Sequence, residues 1–323
     1  MKRFGLIGGL AALVVLLFLG SLLAGKAWVP PSAWFSGDER WWIVAELRLP
    51  RAILGLAIGA GLGLTGAVLQ GYLRNPLADP AVVGVSSSAA LGAVATIVMF
   101  SVSTPLLVFA GAMAAACLSM LLLAGLAWRS ESAVAFILAG TVLANLSGAL
   151  TAFLISVAPN PYAVAEIIDW IMGSLTDRSF AEAQLAVPFI AAGCTLLLLT
   201  GRALDALTLG EAAARSMGVR LDRTQLLIVL GSGLIVGAGV AVTGVVGFVG
   251  LIVPHLLRPV VGARPGALLL PSMLGGAALV LAADSLVRLA PMAGEIRLGV
   301  AMALLGAPFF FALLLRMRNS AWI

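Results

Sequence analysis

Charge is scarce in this chain of 323 residues: Asp, Glu, Lys and Arg make up 10%, against 62% apolar residues. With a mean hydropathy of +1.13, that balance excludes an ordinary soluble domain, whose charged share is about a quarter. Histidine occurs once, at His255, and cysteine twice, at Cys117 and Cys194. These suggest neither a metal cluster nor an exported disulfide framework, and both cysteines sit in apolar runs where small packing residues are expected. Polar residues at mid-run positions are also few, so a Ser/His pair, a paired-Asp site or a carboxylate relay across a bilayer finds no convincing members. The sequence pI near 10.0 does not point to nucleic acid, because the basic residues are spread over many short loops instead of one polar face.

What is present is a series of apolar runs of near-bilayer length. They predict an all-α polytopic membrane protein, one transmembrane domain over residues 1–323, with helices near 4–24, 51–71, 82–100, 105–127 and 133–157. Five more are predicted near 183–200, 225–246, 247–261, 267–287 and 298–315. The eighth is interrupted by Gly247, Gly250 and Pro254 and reads as a broken or partial crossing, which leaves a nine-crossing count open. With ten crossings and both termini in the cytoplasm, most basic residues fall inside, from Lys2 and Arg74 to Arg258 and Arg318, as the positive-inside rule requires. The basic start and apolar run resemble a secretory signal, but a small-x-small cleavage site is missing, and a retained first helix is expected. Trp28, Trp34, Trp41 and Trp42 suit an outer loop lying in the membrane interface. Between the fifth and sixth crossings, residues 163–172 predict a short outer helix.

The segment Gly59–Val68, GAGLGLTGAV, returns as Gly237–Val246, GAGVAVTGVV, with six identities. An odd number of crossings separates the copies, so helices 2–5 and 7–10 form an inverted repeat, a common way to build a transport pathway. Gly55, Gly59 and Gly63, and likewise Gly233 and Gly237, have GxxxG spacing and are expected to serve close helix packing. Two motif matches are decoys. Gly61, Gly63 and Gly66 satisfy GxGxxG without the strand that a dinucleotide site needs. Gly20, Gly25 and Lys26 approach a phosphate loop, but Ala27 stands where magnesium needs Ser or Thr.

Four segments carry a more specific likeness. Arg48–Ala93 (RLPRAILGLAIGAGLGLTGAVLQGYLRNPLADPAVVGVSSSAALGA), Leu209–Val219 (LGEAAARSMGV), Gly244–Gly262 (GVVGFVGLIVPHLLRPVVG) and Gly294–Phe310 (GEIRLGVAMALLGAPFF) resemble the FecCD-type membrane subunits of type II ABC importers for iron chelates, haem and cobalamin. The resemblance implies a homodimer of ten-helix permeases in the bacterial cytoplasmic (inner) membrane. It further implies two ATP-binding subunits beneath, a periplasmic binding protein above, and ATP and magnesium on the ATPase, with no cofactor on this chain.

The resemblance also assigns roles. ATPase coupling falls to the cytoplasmic loop near 204–223, where Leu209, Gly210, Glu211, Ala212, Ala213, Ala214, Arg215, Ser216, Met217 and Gly218 predict a short helix stopped by glycine. Arg48, Arg51 and Arg288 match arginines that dock the binding protein, which requires exposed positive charge on the outer face. Asn75 and Leu77 in RNPLADP match the cytoplasmic gate. Ala133 and Val134, before helix 5, stay unassigned because small polar residues can occur there in relatives. Arg297 replaces a proline frequent in relatives and, with Arg178, is expected to make the outer mouth positive and favour an anionic cargo. His255, at a helix boundary, is read as a packing residue. The expected function is an importer permease for a ferric siderophore or haem. Cobalamin is the alternative cargo, and an ion-coupled secondary transporter the alternative from another class.

Overall fold

The apolar runs form helices joined by short connections. The structure, a computed structural model, describes residues 2–35, 38–80, 84–100, 104–127, 133–262, 264–291 and 295–320. Helix α1 (Lys2–Leu23) leads through a 3-10 turn at Pro31–Ala33 and a π-helical turn at Ile43–Arg48 into α2 (Leu49–Tyr72). Pro50 accounts for the widened turn, since its ring and missing N–H interrupt the α-helical ladder. The first half continues with α3 (Val85–Phe100), α4 (Pro105–Ala127) and α5 (Ala133–Ser156). Outer helix α6 (Pro161–Ile171) is followed by α7 (Phe180–Leu198), and α8 (Gly201–Leu207) and α9 (Glu211–Ser216) form the inner connection. The second half is α10 (Leu221–Thr243), α11 (Val249–Val261), α12 (Pro265–Leu289) and α13 (Leu298–Ser320). Among the described residues there is no strand.

Among the described residues seven helices are long and apolar enough to cross a membrane, and α3, α11 and Leu298–Leu313 of α13 are shorter apolar helices. Together they account for the ten apolar segments expected from the sequence. Helix α7 starts earlier than hydropathy suggests because Ser179 and Glu182 form a capping box: the Ser179 N–H donates to Glu182 Oε2 at 3.0 Å, and Ser179 Oγ accepts from Ala181 N at 3.2 Å. Helix α6 is set by Asn160, whose Oδ1 accepts from Ala163 N at 2.9 Å.

The two halves are built alike. Helix α2 packs on α12 and α11, and its counterpart α10 packs on α4 and α3, the matching elements of the other half. The glycine spacings serve these seams. A Cβ at Gly59 would lie 2.4 Å from the Gly276 carbonyl oxygen, and one at Gly63 2.2 Å from that of Ser272, so α2 and α12 meet backbone to backbone. Gly233 and Gly237 instead leave room for side chains of α4, Met120 over the first and Ala116 and Met113 over the second. Both central helices are enclosed: 83% of the apolar window of α2 and 78% of that of α10 are buried, against 17% for α1 and α5. A span that is apolar all round yet uncovered by its own chain needs lipid or another subunit beside it.

The eighth apolar segment is short and continuous through Gly250 and Pro254, and the break lies ahead of it. Helix α10 stops at Thr243, the backbone is non-helical from Gly244 to Gly247, and α11 begins only at Val249. At about 1.5 Å per residue the 13-residue α11 spans only about 20 Å of a core about 30 Å thick. The non-helical backbone is packed against protein. A Cβ at Gly244 (φ +69°) would sit 2.0 Å from the Trp170 carbonyl oxygen, and Gly250 lies against Leu62, Gly66 and Pro80.

Candidate functional site

Three arginines expected as exposed docking charge at the outer face are in fact buried. Arg48, Arg51 and Arg288 are 5%, 8% and 4% exposed. Arg51, at the start of α2, reaches Asp284 of α12 at 2.9 Å and Glu295 at 3.0 Å. Asp284 also pairs with Arg288 at 3.0 Å, and Thr176 donates to Glu295 at 2.9 Å. Burial works against the Glu295 carboxylate, yet Arg51 and the Thr176 hydroxyl hold its pKa below the ordinary glutamate value.

Two carboxylates cannot neutralise three guanidiniums, and the end of α1 supplies the rest. The last carbonyls of a helix have no intrahelical donors and carry its negative dipole end. Arg48 donates to the Leu22, Leu23 and Ala27 carbonyls, and Arg288 to those of Ser21 and Ala24. The close approach requires Gly25, where a Cβ would be 2.7 Å from the Arg48 guanidinium. These arginines therefore join α1, α2, α12 and the connections before α7 and α13. They do not present free charge to a partner.

Arg178 and Arg297, far apart in sequence, do share an outer cavity of about 250 Å³ between α3, α4, α6, α7 and α10. The expected positive mouth is nevertheless not what forms. Glu166, Asp169, Asp177 and Glu182 line the same cavity. Arg297 is hydrogen-bonded to Asp169, and Arg178 lies 3.9 Å from Glu182. Burial lowers the Arg178 pKa, and Glu182 and Asp177 oppose that change. Four carboxylates facing two guanidiniums remove the charge argument for an anionic cargo.

At the cytoplasmic end, Leu209 and Gly210 turn the chain from α8 into α9. Val219 N–H bonds the Ala214 carbonyl at 3.0 Å and Gly218 N–H that of Arg215 at 2.9 Å, with Gly218 at φ +82°. This is a Schellman stop, which satisfies the last carbonyls of so short a helix. Ala214 is buried and seats α9, whereas Leu209 and Met217 are 68% and 63% exposed. Glu211 approaches Arg74 at 3.8 Å, linking α9 to the loop after α2. In that loop Asn75 Oδ1 accepts from Leu77 N at 2.9 Å, and both residues are half-buried. The loop then turns inward, so that Asp79 and Pro80 line a small cavity with Val245 to Gly250. The irregular backbone of the two halves thus meets beside Leu62, which hydropathy gave no means of seeing. The side chains of Ala133 and Val134 lie outside the described residues. His255 packs edge-on against Phe309, with ring centroids 5.7 Å apart.

Residues 13–316 match the FecCD transport family. The chain belongs to that family. The FecCD chain is 41% identical over 307 residues to the vitamin B12 import system permease BtuC of Vibrio cholerae, covering 93% of this chain and 90% of the relative. It is 36% identical over 323 residues to the hemin transport system permease HmuU of Yersinia pestis, covering 98% and 96%. It is also 36% identical over 289 residues to the Fe(3+) dicitrate permease FecD of Escherichia coli, covering 88% and 89%. An inward-facing ABC transporter of metal-chelate type superposes with a TM-score of 0.85 at 31% identity, over 97% of this chain and 99% of that one. The protein is thus a membrane permease subunit of an ABC importer. It is not itself an enzyme, and ATP hydrolysis belongs to a separate subunit.

Proposed function

We propose that two copies of this permease form the path by which a bulky metal chelate enters a bacterium across its cytoplasmic membrane. A binding protein delivers the cargo from outside, and two ATPase subunits, which hold ATP and magnesium, drive it from within. The observation that carries the reading is the α8–α9 projection. It exposes Leu209 and Met217 beside an anchored Ala214, a shape suited to seating in a groove of a motor subunit. The uncovered apolar face of α5, with Leu138, Val142, Leu146 and Phe153 exposed, suits a second copy and a smooth conduit. Asn75 and Leu77 are proposed to narrow its cytoplasmic exit.

Docking by Arg48, Arg51 and Arg288 is proposed in a changed form: they hold the outer surface in shape, and a binding protein meets the loops around them. For cargo, the excess of carboxylates around Arg178 and Arg297 favours a chelate without large negative charge, such as cobalamin, over a polyanionic ferric complex. Haem and ferric siderophores are the second reading, since relatives named for hemin and ferric dicitrate transport are similar over most of the chain. Uptake of labelled cobalamin, haem and ferric siderophores by vesicles containing the whole importer tests the choice. Saturable uptake of cobalamin alone supports the first reading, and uptake of only an iron chelate reverses it. Arg178→Ala and Arg297→Ala are expected to change cargo preference less than twofold, because the four carboxylates in the same cavity already outweigh the two guanidiniums.

A further inference from the structure

The cytoplasmic ends of α2, α11 and α12 enclose a second cavity of about 250 Å³, unrelated to the outer one. Ala67, Gly71, Pro265 and Leu268 give it apolar walls, and among the described residues Arg74 and Arg258 are its only ionised lining groups. Arg258 is half-buried, and its Nη2 donates at 2.8 Å to the Oε1 of Gln70, a neutral amide. Gln70 is fixed in that orientation because its Nε2 donates to the Gly250 carbonyl at 3.1 Å. The guanidinium is therefore positioned by a neutral group, and among the described residues no carboxylate pairs with it. Arg74 stands 52% exposed at the rim, with Glu211 only at 3.8 Å. Two cations and one loosely placed anion leave the site positive.

A partly buried guanidinium aimed into a cavity without a carboxylate calls for an anion with several acceptor oxygens, which a phosphate supplies. The apolar walls and the position at the inner membrane boundary select between sources of phosphate. Basic pockets between helices on this side of a bilayer suit anionic lipid headgroups. We propose that the cavity binds the phosphate of an anionic phospholipid from the inner leaflet, its glycerol and first acyl carbons lying on the wall formed by Pro265 and Leu268. Since Arg74 also approaches Glu211 of α9, the lipid would sit between the coupling helix and the loop bearing Asn75. It would stabilise the arrangement the two adopt here.

The test is native mass spectrometry of the permease purified with its ATPase subunits, after exchange into mixed phosphatidylglycerol and phosphatidylcholine. The wild-type complex is expected to retain phosphatidylglycerol preferentially. Arg258→Gln and Arg74→Gln should each lower that retention about fivefold, the contribution of one cationic side chain near such a surface. Arg264→Gln, which removes an exposed arginine paired to Asp205 at 2.8 Å, should leave it unchanged. Because Arg74 is exposed, its variant keeps the test interpretable if Arg258→Gln folds poorly. Equal retention of the two lipids, or unchanged phosphatidylglycerol retention in both variants, overturns the proposal. So does displacement of the lipid by millimolar inorganic phosphate, which would identify free phosphate as the ligand. Retention seen only without the ATPase subunits also overturns it, by assigning the cavity to an acidic side chain of the motor.

Discussion

Arg51 holds together parts of the chain that hydropathy treats as unrelated. It is separated by 233 residues from Asp284 and by 244 from Glu295, and removing it leaves both carboxylates short of a partner. Asp284 keeps Arg288 and Glu295 keeps Thr176, so the loss is of hydrogen bonds to charged groups, roughly 1.5–3 kcal/mol each. Arg51→Ala is therefore expected to lower the thermal midpoint of the purified complex sharply, whereas Arg40→Ala, whose side chain is 54% exposed, leaves it nearly unchanged. Glu295 adds a dependence on acidity. A carboxylate whose folded pKa is depressed contributes stability above its ordinary value of 4.5, and that contribution is lost as the pH falls below it. Melting curves below pH 4.5 should show a fall in wild-type stability that Glu295→Gln reduces. Equal slopes for the two proteins would remove Glu295 from the account.

Among the elements, the helices were legible in the sequence and their closest contacts were not. Apolar run length located the ten apolar helices, seven of which are long enough among the described residues to cross a membrane, and the glycine stop at Gly218 marked the end of α9. Hydropathy missed the capping box that starts α7, because Ser179 and Glu182 act through backbone hydrogen bonds. It also missed the meeting of Pro80 with Gly250, which is tertiary. The repeat pointed to packing, and the distances say where packing is strict. Gly66→Ala places a Cβ 2.1 Å from the Gly250 carbonyl oxygen, while Gly148→Ala meets nothing within 4 Å. Backbone cannot yield as a flexible side chain does, so Gly66→Ala is expected to cost about 1–3 kcal/mol. Gly148→Ala should be neutral or slightly stabilising in melts of the same preparation. At the end of α9, Met217→Ala should weaken recovery of the ATPase subunits severalfold with little change in melting, because that side chain is exposed. The outer arginines show the limit of reading roles from position: topology placed them at the outer face, but their acidic partners and the carbonyls of α1 came only with the fold.

For the whole molecule, the inverted repeat gives two enclosed central helices, α2 and α10, and leaves α1 and α5 with apolar surface uncovered. That division fits a subunit that is rigid inside and completed by its surroundings, with lipid around the rim and a second copy across the path. It also accounts for the scarcity of charge: a conduit that performs no bond chemistry needs ionised groups mainly at its ends, where they fasten helices or meet partners. The most direct measurement is cargo uptake by vesicles holding the permease with or without its ATPase subunits, supplied with a loaded binding protein. The account predicts uptake that requires ATP inside the vesicles and stops when the ATPase is omitted. Uptake persisting without the ATPase, driven by an ion gradient alone, would contradict it.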